Sequence, residues 1–232
     1  NNQISKQLDE INDLVKIEKV EDNENTVIKD DSSVQKNTSL NNVDFSELKK
    51  INSRVKGWLQ VKGTNVNYPF VQADNNDFYI NHSFDKTYNE AGWIFADYRN
   101  KLDGTDKHII IYGHALLNKA MFGSLKKYLD EEYWQSHKTI QFDTIYEKGT
   151  YIVTAVCLGK VEYQDDDVFR YYDFLNAESK KEFNVFKKNV EKSAVLADKE
   201  PIKYGDKLLT LSTCNQYVEN GRLYIVAKKI EQ

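Results

Sequence analysis

Cysteine is nearly absent: Cys157 and Cys214 are the only two in 232 residues. So few thiols exclude a disulfide-dense scaffold and a cysteine-rich zinc site, and leave one bridge, two buried thiols, or one inert and one reactive thiol. Long apolar runs are missing as well. The best, residues 151–159, falls far short of the roughly 18 residues that cross a bilayer. Arginine is scarce: Arg54, Arg99, Arg170 and Arg222 are the only four among 32 basic residues, so an Arg near a candidate nucleophile merits inspection. There is no excess of positive charge either, because 36 acidic residues leave the chain at −4, which gives no footing for a nucleic-acid or other polyanionic partner. The chain opens Asn1-Asn2-Gln3, without Met or a signal-peptide pattern, and reads as a processed or trimmed product whose targeting or anchoring segment lies upstream.

What is present suffices for one domain with appendages. Hydrophobic residues make up 40% and aromatics 12% of the chain, ample surface for a core and incompatible with a wholly disordered polymer. Ile4, Leu8, Ile11 and Val15 recur at helical spacing and predict an N-terminal helix with one narrow apolar stripe. Residues 21–42 lose that apolar content to Asn, Asp, Ser, Thr and Lys, the composition of a linker. The division expected is therefore a helix and flexible linker over 1–42, leading from a membrane anchor outside the chain, and a folded domain over 43–232.

A second helix is predicted from Asp44, as cap with Glu47 completing a capping box, through Phe45, Leu48, Ile51 and Val55 to a stop at Gly57. Short strands follow at 58–61, 66–68, 92–96 and 108–112, then one or two short helices within 121–133 and strands at 139–142 and 151–158. Phe183, Phe186 and Val190 mark a helix inside the charged, aromatic-bearing interval 162–199, an insertion between strands. The last strands, 207–214 and 222–227, flank Asn220-Gly221, a hairpin signal. A mainly antiparallel or mixed sheet with peripheral helices results, with no internal repeat and no second core.

Three residues stand at strand ends with side chains suited to acyl transfer. Cys214 ends an apolar strand, His114 follows Tyr112-Gly113 at the end of another, and Arg222 begins the strand after the Cys214 loop. A thiol becomes nucleophilic when a neighbouring cation favours the thiolate. An imidazole can be that cation and can protonate a leaving amine, and a guanidinium suits a developing oxyanion. Taken singly, each has an ordinary reading: a small buried hydrophobe, a hydrogen-bonding histidine after Gly, a charge at a strand edge. Cys157 reads as a core thiol. His82, His108 and His137 lack acidic or thiol partners at zinc spacing, and the run Asp165-Asp166-Asp167 lacks an EF-hand loop around it.

The segment Thr210-Leu211-Ser212-Thr213-Cys214, with Arg222 eight residues on, resembles the active-site signature of the sortases. Ile111-Tyr112-Gly113-His114 followed by Met121-Phe122 resembles their catalytic-histidine segment, and 92–100, Gly-Trp-Ile-Phe-Ala-Asp-Tyr-Arg-Asn, resembles a strand and turn of class B members. The likeness extends over about 43–230, although Ala115 stands where many class B members carry Asn, and Tyr217 follows the Cys by three residues rather than two.

The resemblance implies a mainly β fold: an eight-stranded barrel with N-terminal helices and a helix-bearing insertion between the sixth and seventh strands. It implies a cysteine transpeptidase that cleaves a C-terminal sorting motif of a secreted protein after Thr, holds the acyl group as a thioester on Cys214, and passes it to an amine of a peptidoglycan precursor, lipid II. His114 would exchange protons and Arg222 would hold the oxyanion, without metal or organic cofactor, on the extracellular face of a Gram-positive membrane with a single-pass anchor. Ser212, Thr213, Tyr217 and Tyr224 are candidate substrate-binding residues, with local backbone bonding by Ser212 and packing by the two tyrosines as the alternatives. The competing functions are a purely hydrolytic cysteine peptidase and a non-enzymatic adhesion or scaffold domain.

Overall fold

The computed structural model describes residues 2–15, 43–160, 169–215 and 221–230. The linker reading of 21–42, the Asp165–Asp167 run, Tyr217 and the Asn220 turn fall outside them. Nine strands run along the described chain: β1 (Val55–Val61), β2 (Asn67–Val71), β3 (Phe95–Ala96), β4 (His108–Gly113), β5 (Thr139–Thr144), β6 (Thr150–Lys160), β7 (Ala194–Ala197), β8 (Leu208–Asn215) and β9 (Gly221–Lys229). They pair in the order β5-β1-β2-β3-β4-β8-β9-β6, and β5 pairs with β6 again, so eight strands close into a barrel. Closure removes the open edges that would otherwise recruit other strands. The sheet is mixed: β2–β3 and β4–β8 are parallel and the other neighbours antiparallel. The long β6 pairs with β5 through its first residues and with β7 further along, so β7 belongs to the insertion rather than to the ring.

Side-chain alternation separates two apolar clusters. Leu209 and Leu211 of β8, Leu223 and Ile225 of β9, and Ile109 and Ile111 of β4 fill the barrel with Trp58, Phe70 and Phe142. Ile4 and Ile11 of helix α1 (Asn2–Leu14) and Val15 directly after it join the same cluster, so the stripe is a packing face. Leu208 of β8, Tyr224 and Val226 of β9 and Cys157 of β6 face the other way, and α4 (Lys180–Ser193) covers them with Phe183, Phe186 and Val190. This second cluster is absent from the sequence expectation of a single core. The alternating strand pattern discloses one apolar face readily, while a second emerges only when the insertion folds back over it.

Two local expectations change. Helix α2 (Phe45–Ile51) is capped by Asp44, whose carboxylate accepts from Ser46 N at 2.8 Å, but Glu47 pairs with Lys50 Nζ at 2.6 Å instead of closing a capping box. The helix ends at Asn52, which turns inward to donate to Tyr79 Oη and to the Phe84 carbonyl. Gly57 therefore terminates nothing. It lies within β1 beside a bulge, where a Cβ would sit 2.1 Å from the Asp143 carbonyl oxygen and 2.5 Å from the Phe70 ring. Gly57→Ala forces backbone against backbone, and a loss of at least about 2 kcal/mol in urea unfolding is expected.

Candidate active site

The pairing register brings three sequence-distant positions side by side. In β8–β9, Cys214 is opposite Arg222 and Ser212 opposite Tyr224. In β4–β8, Tyr112 is level with Ser212 and Gly113 with Thr213, so one further step reaches His114 on one chain and Cys214 on the other. His114, directly after β4, and Cys214 and Arg222, paired across β8 and β9, thus stand together at one end of three adjacent strands. Of Cys214 the structure describes the backbone.

Beside these positions lies a pocket of about 250 Å³, lined by His114, Thr213 and Arg222 together with Ser212 and Tyr112. Tyr171 and Tyr172, on the insertion, form one further wall, and Asn76, Asp77 and Ile80, on the loop after β2, form another. Sequence reasoning marked the insertion but missed Tyr171 and Tyr172 as pocket residues, and it missed the 76–80 loop. The polar run Asp74-Asn75-Asn76-Asp77 after a strand signals a loop, though not which loop.

His114 Nε2 lies 2.7 Å from the Ile80 carbonyl oxygen. A carbonyl only accepts, so that nitrogen carries the proton and the ring orientation is fixed, as second-partner hydrogen bonds fix histidines elsewhere. Gly92 makes the arrangement possible: it sits at φ +58°, and a Cβ there would stand 2.5 Å from the Ile80 carbonyl oxygen.

Ser212 is buried and shares a 2.5 Å hydrogen bond with Tyr171 Oη. The Tyr171 ring stacks on Tyr224 at 4.0 Å, which leaves Tyr224 almost fully enclosed, beneath the pocket wall rather than in it. Cys157 is fully buried against α4, with Sγ 3.7 Å from the Val190 carbonyl oxygen, and burial pushes its thiol up to about 12. At neutral pH such a thiol is not a nucleophile. His82 and His137 stack on Phe78 and Tyr133, and each ring sits within hydrogen-bond distance of a main-chain carbonyl.

The family model for the sortase domain matches residues 59–230. The chain is 31% identical to sortase B of Staphylococcus aureus over 187 residues, 80% of this chain and 74% of that one. It is 30% identical to sortase B of Listeria monocytogenes over 227 residues, 92% of this chain and 88% of that one. The chain belongs to the sortase family, in the sortase B class. A solved Staphylococcus aureus sortase B–substrate complex superposes with a TM-score of 0.70 at 31% identity, covering 81% of this chain and 84% of that one. The barrel, the N-terminal helices and the insertion between the sixth and seventh barrel strands, here β6 and β8, are those of a sortase. As a sortase B, this protein is a cysteine transpeptidase that cleaves a sorting motif and transfers the released acyl group to a cell-wall precursor amine. That work is done at the extracellular face of the membrane; among the described residues no helix is long and apolar enough to cross a bilayer.

Proposed function

We propose that Cys214 is the nucleophile of this sortase, His114 its proton carrier and Arg222 its oxyanion partner, with cleavage after Thr. The Cys214 thiolate attacks the Thr carbonyl carbon, and the Arg222 guanidinium holds the negative charge that appears on the oxygen. The C–N bond breaks, and His114, as imidazolium, gives its proton to the departing amine. The thioester then meets the amine of the cell-wall precursor; His114 takes that amine's proton, and the C–S bond breaks to return the thiolate. With Nε2–H engaged by the Ile80 carbonyl, Nδ1 is the nitrogen that exchanges this proton.

The observation that carries the reading is the register that sets Cys214 opposite Arg222 and ends β4 one residue before His114, with His114 and Arg222 lining one pocket. The outer-face position of Ser212, bonded to Tyr171 on the insertion, supports a peptide groove between insertion and barrel, in which Ser212 and Thr213 line the floor. A rigid sheet beneath a rim of loops holds such groups well.

An electrophilic thiol probe tests the nucleophile. Iodoacetamide is expected to alkylate Cys214 and spare Cys157, and His114→Ala is expected to slow that labelling at least about tenfold because the thiolate loses its counter-cation. Equal labelling of both cysteines, or labelling indifferent to His114, would refute the assignment. A peptide pool with Thr fixed and flanking positions randomised, incubated with and without a glycine-based amine, reads the motif and the transfer product by mass.

A further inference from the structure

Asp97, in the turn after β3, is fully buried at 0% exposure, and its carboxylate accepts from three residues, Arg99, Asn76 and Tyr112. Its Oδ1 accepts from Arg99 N at 3.0 Å and Arg99 Nε at 2.8 Å, and its Oδ2 accepts from Arg99 Nη2 at 2.8 Å. The same Oδ2 accepts from Asn76 Nδ2 and from Tyr112 Oη, both at 3.0 Å. Arg99 Nη2 also donates to the Tyr172 carbonyl at 2.5 Å, and Nη1 approaches Asp173 at 3.9 Å.

Asn76, Tyr112 and Tyr172 come from the loop after β2, from β4 and from the insertion, and each is a wall of the pocket. Three walls contributed by three separate elements therefore converge on one carboxylate–guanidinium pair. Neither member of the pair lines the pocket itself.

We propose that Asp97 and Arg99 are a positioning pair for the transpeptidation, latching the edge of the insertion to the barrel and so setting the width and selectivity of the peptide groove. This deepens the proposed function and rests on its placement of the groove beside His114, Cys214 and Arg222. The chemistry fits the task. A fork of guanidinium donors can hold a carboxylate and a carbonyl at once, which a lysine ammonium does with far less directional control. The carboxylate must stay ionised to accept five hydrogen bonds. Burial pushes its pKa up, but the Arg99 guanidinium and N–H outweigh that and hold it below the ordinary carboxylate range. The latch therefore persists across the whole neutral range and loosens only in strong acid.

The test separates groove from nucleophile. Asp97→Asn places an amide NH₂ among donors, and Arg99→Lys keeps the charge but lacks the fork. For the peptide that the wild type cleaves fastest from the Thr-fixed pool, both variants should lose at least tenfold in kcat/KM, mainly through a raised KM. Their cleavage profile over the pool should flatten. Alkylation of Cys214 by iodoacetamide should stay within twofold of wild type, since that small reagent needs no groove. KM and pool profile within twofold of wild type in both variants would overturn the proposal. So would a labelling rate that falls in step with kcat/KM, which would mean a general collapse of the site. Should Asp97→Asn not fold, Arg99→Lys decides alone. Wild-type labelling that misses Cys214 would sink the nucleophile assignment instead, and the KM and pool comparison would still read the latch.

Discussion

Arg222→Lys should lower kcat/KM for the sorting peptide at least about 100-fold, and Cys214→Ala should leave no acyl-enzyme detectable by intact mass. The lysine keeps the charge, so a purely coulombic role predicts a small loss. The larger expectation follows from geometry. Arg222, the second residue of β9, is paired opposite Cys214, and an ammonium on that position presents its donors differently from a planar fork. Removing one well-placed oxyanion donor costs about 10²–10³ in turnover, and a flexible ammonium restores the charge without the fixed fork. The loss should fall on acylation: a burst experiment would show slow thioester formation, while Cys214 alkylation by iodoacetamide persists. Turnover within threefold of wild type would remove Arg222 from the reacting centre.

Much of the barrel was legible because its strands are short, apolar and bounded by turn residues. The run His108–Gly113 announces a buried strand, and β8 and β9 are visible as a pair from the residues on either side of their connection. The helical spacing of Phe183, Phe186 and Val190 identifies α4 correctly. Gly57 misled because a glycine after an apolar helical stripe resembles a stop; its real cause, the Asp143 carbonyl pressing from β5, lies 86 positions away. The strand expected over 92–96 shrinks to Phe95–Ala96, since Gly92 and Trp93 are spent on holding the Tyr79–Ile80 backbone beside His114.

The same distinction runs through the site. Cys214, His114 and Arg222 are marked in the sequence by residue type and by strand ends. The pocket walls are not, because Asn76, Tyr112 and Tyr172 take on meaning only when Asp97, holding the first two, and Arg99, holding the third, draw them together. The sortase B membership excludes the adhesion-domain alternative and favours transfer over simple hydrolysis. It leaves the walls to be argued from contacts, since peptide selectivity resides in side chains that vary within one fold.

The second large effect concerns stability rather than turnover, and it originates at the far end of β4 from His114. His108 is completely buried between the barrel and the insertion. Its Nδ1 faces the Phe174 carbonyl, which fixes the proton on that nitrogen, and its Nε2 accepts from Thr210 Oγ1 at 2.7 Å. The Phe186 ring lies 5.3 Å away. Burial is the main influence and lowers the imidazole to about 4, against the pull of the Phe174 carbonyl, Asp97 and Asp106 in the other direction. In the unfolded chain a histidine titrates near 6.5. Between those two values the unfolded chain takes up a proton that the folded protein refuses, so stability is whole above about pH 6.5 and declines as pH falls toward 4. At 1.36 kcal/mol per pH unit, urea unfolding at pH 4.5 should show about 2.5 kcal/mol less stability than at pH 7.5 from this residue alone, a large share of a typical domain's total. Asp97 adds only a little to that slope, in the same direction, because its depressed folded carboxyl stays ionised while the unfolded carboxyl, at about 3.9, has begun to protonate only at the bottom of the window. Asp143, raised by burial, works the opposite way: its folded form binds a proton more readily, which favours the fold as pH falls. His108→Gln isolates the histidine, since the amide can donate to the Phe174 carbonyl and accept from Thr210 without titrating. The variant should lose most of the slope between pH 7.5 and 4.5 while keeping a cooperative transition, whereas a slope equal to wild type would show that another group carries the acid sensitivity.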